Sequence, residues 1–342
     1  MADTLPQSYH RAVFKSQGEK LTLEELPLRT PGLNEILVKV EACGICHSDV
    51  FAQENSFGAG FPRVPGHEII GKIVAVGDQV KRWRIGDRVG SGYHGGFEGS
   101  CAQCRFGLTQ MCESADYNGI TRDGGLSEYC LILASAAIPI PAECDAAKTA
   151  PLLCAGSTVF SALKSANIAP GHPVAIQGLG GLGHLAIQYA VLMGYRVIAI
   201  SRGTEKETAA RAFGASEYID ASKGDVGDQL WALGGAQLAL TTALSNDAFT
   251  PLVKGLRGFG KLMILTGIPG PITLDATAMI MRGISVQAWP CPNVLDNEQT
   301  MEFSQLHKID CAIKKYPFQR VQEAYDAMLN GTVRFRAVVT MS

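Results

Sequence analysis

Three groups of residues could carry chemistry. The first begins at Cys43-Gly44-Ile45-Cys46-His47-Ser48-Asp49, continues at Pro65-Gly66-His67-Glu68, and ends at Leu153-Cys154-Ala155-Gly156. A catalytic zinc needs three protein ligands and one open position. Cys46, His67 and Cys154 would supply two thiolates and an imidazole, but they stand too far apart for spacing alone to join them. Cys43 and Cys46 also form a C-x-x-C, the pattern of a redox pair, yet no thioredoxin-like unit follows. The second group is Cys101-x-x-Cys104 followed by Cys112, with Glu98 three residues ahead. Three thiolates leave a structural zinc one ligand short, and Glu98 would complete a closed Glu/Cys3 site. The third is Gly178-Leu179-Gly180-Gly181-Leu182-Gly183, a G-x-G-x-x-G.

The glycine run gains weight from its surroundings. It follows the apolar run Val174–Gln177 and opens a helical pattern over Gly181–Met193. Gly178 would make the tight turn, Gly180 would let backbone approach a pyrophosphate, and Gly183 would let helix and strand pack closely. Amides at Gly181, Leu182 and Gly183 would then face the phosphate at the helix start. An NAD site usually carries an acid at the end of the next strand. Here Arg196–Ile200 ends in Ser201-Arg202, with Lys206 close behind. Ser201 removes the repulsion, and Arg202 and Lys206 would hold a 2′-phosphate, so NADP(H) is expected over NAD(H).

These residues need elements to position them. Up to about residue 155 the chain reads as short β-branched runs split by Gly and Pro, such as Glu35–Ala42, Glu68–Val76 and Asp87–Gly90, the texture of a β-rich domain with long loops. From about 156 to 290, six strand-like runs alternate with helical segments. They are Val174–Gln177, Arg196–Ile200, Glu217–Asp220, Gln237–Leu240, Lys261–Leu265 and Ile284–Ala288. Strand–helix alternation predicts an α/β, doubly wound parallel sheet. A helix near Gln319–Leu329 and a strand near Ala337–Thr340 are expected to rejoin the first domain.

The 342 residues carry 30 Lys and Arg against 32 Asp and Glu. That balance gives no electrostatic drive toward nucleic acid or anionic membrane. No signal peptide is recognisable at the start, and the most apolar stretch, Val174–Ile200, is broken by glycines, glutamines and charge, so no membrane span is expected. A cytoplasmic protein is the expectation, and its ten cysteines read as thiols or metal ligands rather than disulfides.

CGICHSD, PGHE, GDRVG, the cysteine lobe, LLCAGSTV, GLGGLGH and VRFRAVV stand in an order and spacing that resembles the zinc-dependent alcohol dehydrogenases of the medium-chain dehydrogenase/reductase family, of the cinnamyl or yeast type. The resemblance spans essentially the whole chain. It implies a GroES-like catalytic domain (residues 1–155 with 291–342) split around a Rossmann domain (156–290), with the site in the cleft at the C-terminal ends of the sheet strands. It implies catalytic zinc on Cys46, His67 and Cys154, with Glu68 behind the metal and Asp49 orienting the histidine. Ser48 would move the substrate proton, and His47 would serve as phosphate contact or relay. Thr158 would pack by the nicotinamide, and Arg336 would reach the pyrophosphate. The lobe at Glu98, Cys101, Cys104 and Cys112 would hold a second, structural zinc. The implied reaction is hydride transfer between NADP(H) and a primary or secondary alcohol, aldehyde or ketone, in a homodimer or homotetramer.

Four departures from the family pattern stand out. Glu98 replaces a cysteine, Phe51 a relay histidine, Ala288-Trp289 the usual Gly-Ser, and Phe335 a glycine. Phe51, Tyr93 and Trp289, with Ser48, are expected around the substrate. Two rival readings are a zinc-free quinone or enoyl reductase and a non-catalytic cofactor-binding protein. Intact ligand positions together with Ser48 weigh against both.

Overall fold

The computed structural model describes residues 5–341 apart from Pro269. The chain forms two compact units. One takes in the chain through Ser157, Cys291–Leu306 and the stretch from Asp310 onward; the other is Thr158–Pro290 with His307–Ile309.

The first unit is built on a seven-stranded sheet. Its path runs Ile313–Pro317, Arg336–Thr340, Glu35–Ile45, Glu68–Val76, Arg88–Ser91, Ile138–Pro139, and Tyr129–Leu133 also pairs with Glu35–Ile45. Pairing is antiparallel except between the first two strands. Ile36, Val38, Ile69, Val89 and Ile132 are buried in one core with Phe14 and Tyr325. The register sets Gly44 opposite Glu68 and Ala337 opposite Ile45, so the ends of three strands meet where the functional side chains gather.

The second unit holds six parallel strands in the order Glu217–Asp220, Arg196–Ser201, Pro173–Gln177, Ala236–Thr241, Leu256–Ile264, Ser285–Ala288. Pro173–Gln177 is buried throughout, as a central parallel strand covered on both faces must be. Its neighbours are the second and fourth strands of the series. The order therefore reverses beside it, and a doubly wound sheet binds ligands at such a reversal. The helix Gly183–Leu192 follows directly, with His184, Leu185, Ile187 and Tyr189 buried. Helices Val226–Ala232 and Ala276–Arg282 start on Asp225 and Asp275, whose side chains accept from the Asp228 and Ala278 amides. Among the described residues no helix is long and apolar enough to cross a membrane.

Candidate metal centre and cofactor loop

Cys46 follows the long strand Glu35–Ile45, and a single turn, His47–Asp49, follows Cys46. That turn carries Asp49 into the interior, where it is fully buried. Asp49 Oδ2 accepts from the Cys46 amide at 2.9 Å, and Oδ1 accepts from the Gly66 amide at 3.0 Å. The same Oδ1 lies 3.1 Å from His67 Nδ1. One carboxylate thus ties the Cys46 turn to the His67 loop and turns His67 Nε2 to the other side, where it is buried without a hydrogen-bond partner. Gly66 has φ +97°, and a Cβ there would stand 2.7 Å from Cys43 Sγ. Cys43 therefore packs beneath the loop and does not join the donors.

Cys154 ends the turn Ala150–Leu153 and precedes the helix Ala155–Ser165. Its Sγ lies 3.9 Å from Cys46 Sγ. A disulfide needs about 2.05 Å. Two sulfurs on a tetrahedral zinc, each about 2.3 Å from the metal, stand roughly 3.8 Å apart. Cys46, His67, Glu68 and Cys154 place one donor atom each within 4.8 Å of one another, and all four are buried. The donor set, the sulfur spacing and the orphaned Nε2 fit zinc.

The electrostatics agree with a shared centre. The hydrogen bond from Cys154, helped by His67, holds the Cys46 thiol well below its usual range, while the same bond and burial hold Cys154 well above it. Burial pulls His67 down, but Asp49 outweighs it and raises the ring's basicity. Burial lifts Glu68 to about 7 against the opposing pull of Arg336.

Arg336 is 5% exposed, and its Nη2 donates to Glu68 Oε1, leaving Glu68 Oε2 buried without a partner. The family resemblance assigns Arg336 to a cofactor pyrophosphate; here its guanidinium is engaged with Glu68. That pairing has no local signature, because the two residues are 268 positions apart. Gly44 is part of the same arrangement, since a Cβ there would sit 1.8 Å from Glu68 Oε2.

Ser48 is half-buried, with Oγ 3.8 Å from Cys46 Sγ, and His47 is exposed. Tyr93 sets its ring edge-on to His67, 5.1 Å between centroids. Tyr93 in turn packs on Tyr117 at 5.0 Å, Tyr117 on Phe57 at 5.5 Å, and Phe57 on Phe51 at 5.8 Å. Five rings thus run from the exposed Phe51 and Phe57 to the buried histidine. Phe57 and Tyr117 escaped the sequence reading. Trp289 Nε1 donates to Ser161 Oγ at 2.9 Å, one helical turn beyond Thr158.

The second cysteine group assembles only in part as expected. Cys101, Cys104 and Cys112 bring their sulfurs within 4.8 Å of one another. Cys101 and Cys112 Sγ are 4.0 Å apart, again close to a tetrahedral edge. Glu98 is not among the three gathered donors, but it stays next to the lobe. Its Oε1 accepts from the Cys101 amide at 2.9 Å and its Oε2 from Ser100 Oγ at 3.0 Å. A carboxylate three residues before Cys101 can cap that turn as readily as reach a metal.

In the glycine loop the three roles separate. Gly178 has φ +93°, and a Cβ on it would meet Thr242 Oγ1 at 2.4 Å. A Cβ on Gly183 would stand 1.9 Å from the Gly178 carbonyl oxygen, while around Gly180 nothing lies within 4 Å. The folded chain thus demands glycine at 178 and 183. At 180 the space is open, which leaves room for a ligand to approach the backbone. Ser201 ends its strand opposite Asp220 of the next. Asp220 Oδ1 accepts from the Gly203 amide at 2.8 Å and from Ser222, so this carboxylate is spent on holding the loop. Arg202 is exposed, Lys206 is half-buried, and Glu205 folds its carboxylate against Gly203.

A model of the alcohol dehydrogenase GroES-like domain matches residues 32–142, and one of zinc-binding dehydrogenase matches residues 181–306. The chain is 54% identical to alcohol dehydrogenase notN of Aspergillus sp. (strain MF297-2), over 99% of each chain. It is 52% identical to alcohol dehydrogenase patD of Penicillium expansum, over the whole of both. Among solved structures it is similar to the cinnamyl alcohol dehydrogenase SbCAD4 of Sorghum bicolor (TM-score 0.87, 27% identity, 97% of each chain). It is also similar to the CAD of Helicobacter pylori complexed with NADP(H) (TM-score 0.84, 25% identity, 97% of this chain and 98% of that one). With these matches and the buried Cys46–His67–Cys154 group, the chain belongs to the zinc-type alcohol dehydrogenases of the medium-chain dehydrogenase/reductase family.

Proposed function

We propose that this oxidoreductase acting on alcohols is zinc-dependent, prefers NADP(H), and works on an alcohol or its aldehyde or ketone. The observation that carries the reading is the buried donor group with His67 Nε2 unpartnered. Zinc, when bound, supplies Lewis acidity to the substrate oxygen, and the nicotinamide supplies the hydride chemistry. Cys46, His67 and Cys154 hold the metal, and Asp49 fixes the histidine tautomer and ring. Arg336 keeps the Glu68 carboxylate occupied beside them. The Ser48 hydroxyl gives or takes the substrate proton, and His47 passes it toward water. Phe51 does not take that part, since a phenyl ring carries no proton. The five rings ending at His67 exclude water along one wall and present flat apolar surface to the substrate.

The loop at Gly178–Gly183 binds the pyrophosphate, Thr158 packs by the nicotinamide, and Arg202 with Lys206 receives the 2′-phosphate in the place where Ser201 has removed an acid. Glu205 opposes that phosphate, so NADH is the necessary control. The three-cysteine lobe holds a second zinc. Self-association belongs to the same reading. Ser285–Ala288 ends the parallel sheet, and Phe259, Ile280 and Met281 beside it are each 79% exposed, an apolar margin that a second copy would cover.

The test is zinc per chain together with oxidation of NADPH and NADH by aliphatic, aromatic and unsaturated aldehydes, with and without phenanthroline. Two zinc per chain and chelator-sensitive turnover, faster with NADPH, are expected. Chelator-resistant turnover rejects the zinc mechanism, turnover without cofactor discrimination rejects the 2′-phosphate assignment, and absence of turnover leaves the non-catalytic reading standing.

A further inference from the structure

Asn118 is fully buried and takes no part in the proton or hydride steps. It follows the short strand Asp116–Tyr117, which pairs antiparallel with His94–Gly96. Its main chain and its side chain both reach the arm that carries Tyr93. The Asn118 amide donates to the Tyr93 carbonyl at 3.0 Å. Nδ2 donates to the Gly92 carbonyl at 2.9 Å and to Ser91 Oγ at 2.8 Å. Ser91 Oγ in turn donates to the Ala136 carbonyl at 2.9 Å. One residue thus holds Ser91, Gly92 and Tyr93 in succession.

The same stretch of chain touches the His67 loop. Gly119 has φ +74°, and a Cβ on it would stand 2.7 Å from the Gly66 nitrogen. The Gly66 carbonyl accepts from the Gly125 amide at 2.8 Å. Asn118 therefore stands between the loop bearing His67 and the arm bearing Tyr93, whose rings meet edge-on. Its neighbour Tyr117 supplies the next ring. The Gly92 carbonyl can only accept, so the Asn118 amino group must face it and Oδ1 must point away. There Oδ1 is buried without a partner. An unpaired buried oxygen costs stability, and such a breach falls where geometry outweighs stability.

We propose that Asn118 is a positioning residue for the substrate wall. By pinning Ser91, Gly92 and Tyr93 it sets the Tyr93 ring against His67, and so sets the preference for ring-bearing over small substrates. The proposal rests on the reading that these rings face the substrate. Asn118 acts through Tyr93 and not on the reacting atoms.

The test compares zinc-loaded wild type with Asn118→Leu, which keeps the volume and removes both Nδ2–H donors. Two quantities are read. One is the nuclear Overhauser contact between the Tyr93 and His67 rings, which needs no turnover. The other is the ratio of kcat/KM for benzaldehyde to that for acetaldehyde. Asn118→Leu is expected to lose about half of the ring contact and to lower the ratio about tenfold. In a Tyr93→Leu background, where the ring is already gone, the same change should lower the ratio less than about twofold. A folded Asn118→Leu with unchanged ring contact or unchanged ratio overturns the proposal. So does an equal fall of the ratio in both backgrounds, the mark of a merely structural role. Should Asn118→Leu fail to fold, Ser91→Ala removes one of the two Nδ2 acceptors. It is expected to weaken the ring contact and lower the ratio about threefold, and no change in either overturns the proposal. If the wild type reduces neither aldehyde, the reading of the function fails, and the ring contact alone decides for Asn118.

Discussion

Alanine at Gly180 and at Gly183 should separate what the glycine loop does for the cofactor from what it does for the fold. A Cβ on Gly183 would stand 1.9 Å from a backbone oxygen, that of Gly178. Reaching an ordinary contact of about 3.5 Å means moving the helix Gly183–Leu192 away from its strand by roughly 1.5 Å. Overpacking costs about 1–3 kcal/mol, and since neither neighbour is a flexible side chain we place Gly183→Ala at about 3 kcal/mol. That loss lowers the melting temperature by on the order of 5–10 °C. Gly180 differs, because nothing lies within 4 Å of the added methyl and its backbone is outside the left-handed region. Gly180→Ala should hold or gain stability, by about 0.4–1 kcal/mol, through a less free unfolded chain. The methyl would still fill the space into which the pyrophosphate must come, so NADPH affinity should fall at least tenfold, about 1.4 kcal/mol. Thermal melts without cofactor, paired with fluorescence titration of NADPH, measure both. The reasoning fails if Gly180→Ala binds NADPH like wild type or melts several degrees lower, or if Gly183→Ala costs nothing.

Cys46→Ser or Cys154→Ser should remove one zinc per chain and abolish turnover while leaving NADPH affinity within about threefold, since each sulfur belongs to the metal group; an active mutant with full zinc by metal analysis refutes the donor assignment. Arg202→Ala should weaken NADPH about ten- to hundredfold, the worth of a lost charge-assisted contact, and NADH hardly at all; equal loss of both in parallel titrations rejects the 2′-phosphate role. Burial holds the His94 ring below its ordinary value, with Nε2 donating to the Thr109 carbonyl at 2.9 Å. The folded state therefore resists a proton that the unfolded chain accepts below a pH of about 6.5, so this contribution to stability is present above that pH and is lost as pH falls through it. Urea melts from pH 7.5 to 5.5 should show His94→Gln losing less stability on acidification than wild type, and parallel curves for the two proteins would exclude the histidine as the cause.

The parallel sheet could be read in advance because buried parallel strands leave continuous apolar runs, and all five residues of Pro173–Gln177 are buried. All six strand-like runs fall on its strands. Besides the four-residue helices, three longer ones escaped for physical reasons. Ala155–Ser165 is rich in small and β-branched residues of modest helix preference, and Val226–Ala232 spans only two turns. Val294–Leu306 buries Asn297, Thr300 and Ser304 along with Met301, which erases the apolar stripe that periodicity detects. Residue types marked the metal donors, but their meeting depends on long-range register, which local spacing does not contain. Glu98 shows the converse, because E-x-x-C fits a metal site and a capped turn equally well, and spacing does not tell the two apart.

The charge of the donor group bears on the proposed metal. Burying a carboxylate and two thiolates together is prohibitive without compensation. The protein provides one fixed cation, Arg336, and commits it to Glu68. Asp49, placed against His67 Nδ1, keeps that nitrogen's hydrogen directed away and the opposite nitrogen free to donate an electron pair. Beside Asp49, itself a buried carboxylate, stand the two sulfurs of Cys46 and Cys154. In the chain alone they share the burden unequally, the first driven toward thiolate and the second toward thiol. A metal of charge two lets both ionise and releases a proton as it binds. Arg336 neutralises Glu68, and its removal would leave one more uncompensated anion among the buried groups Asp49, Cys46 and Cys154.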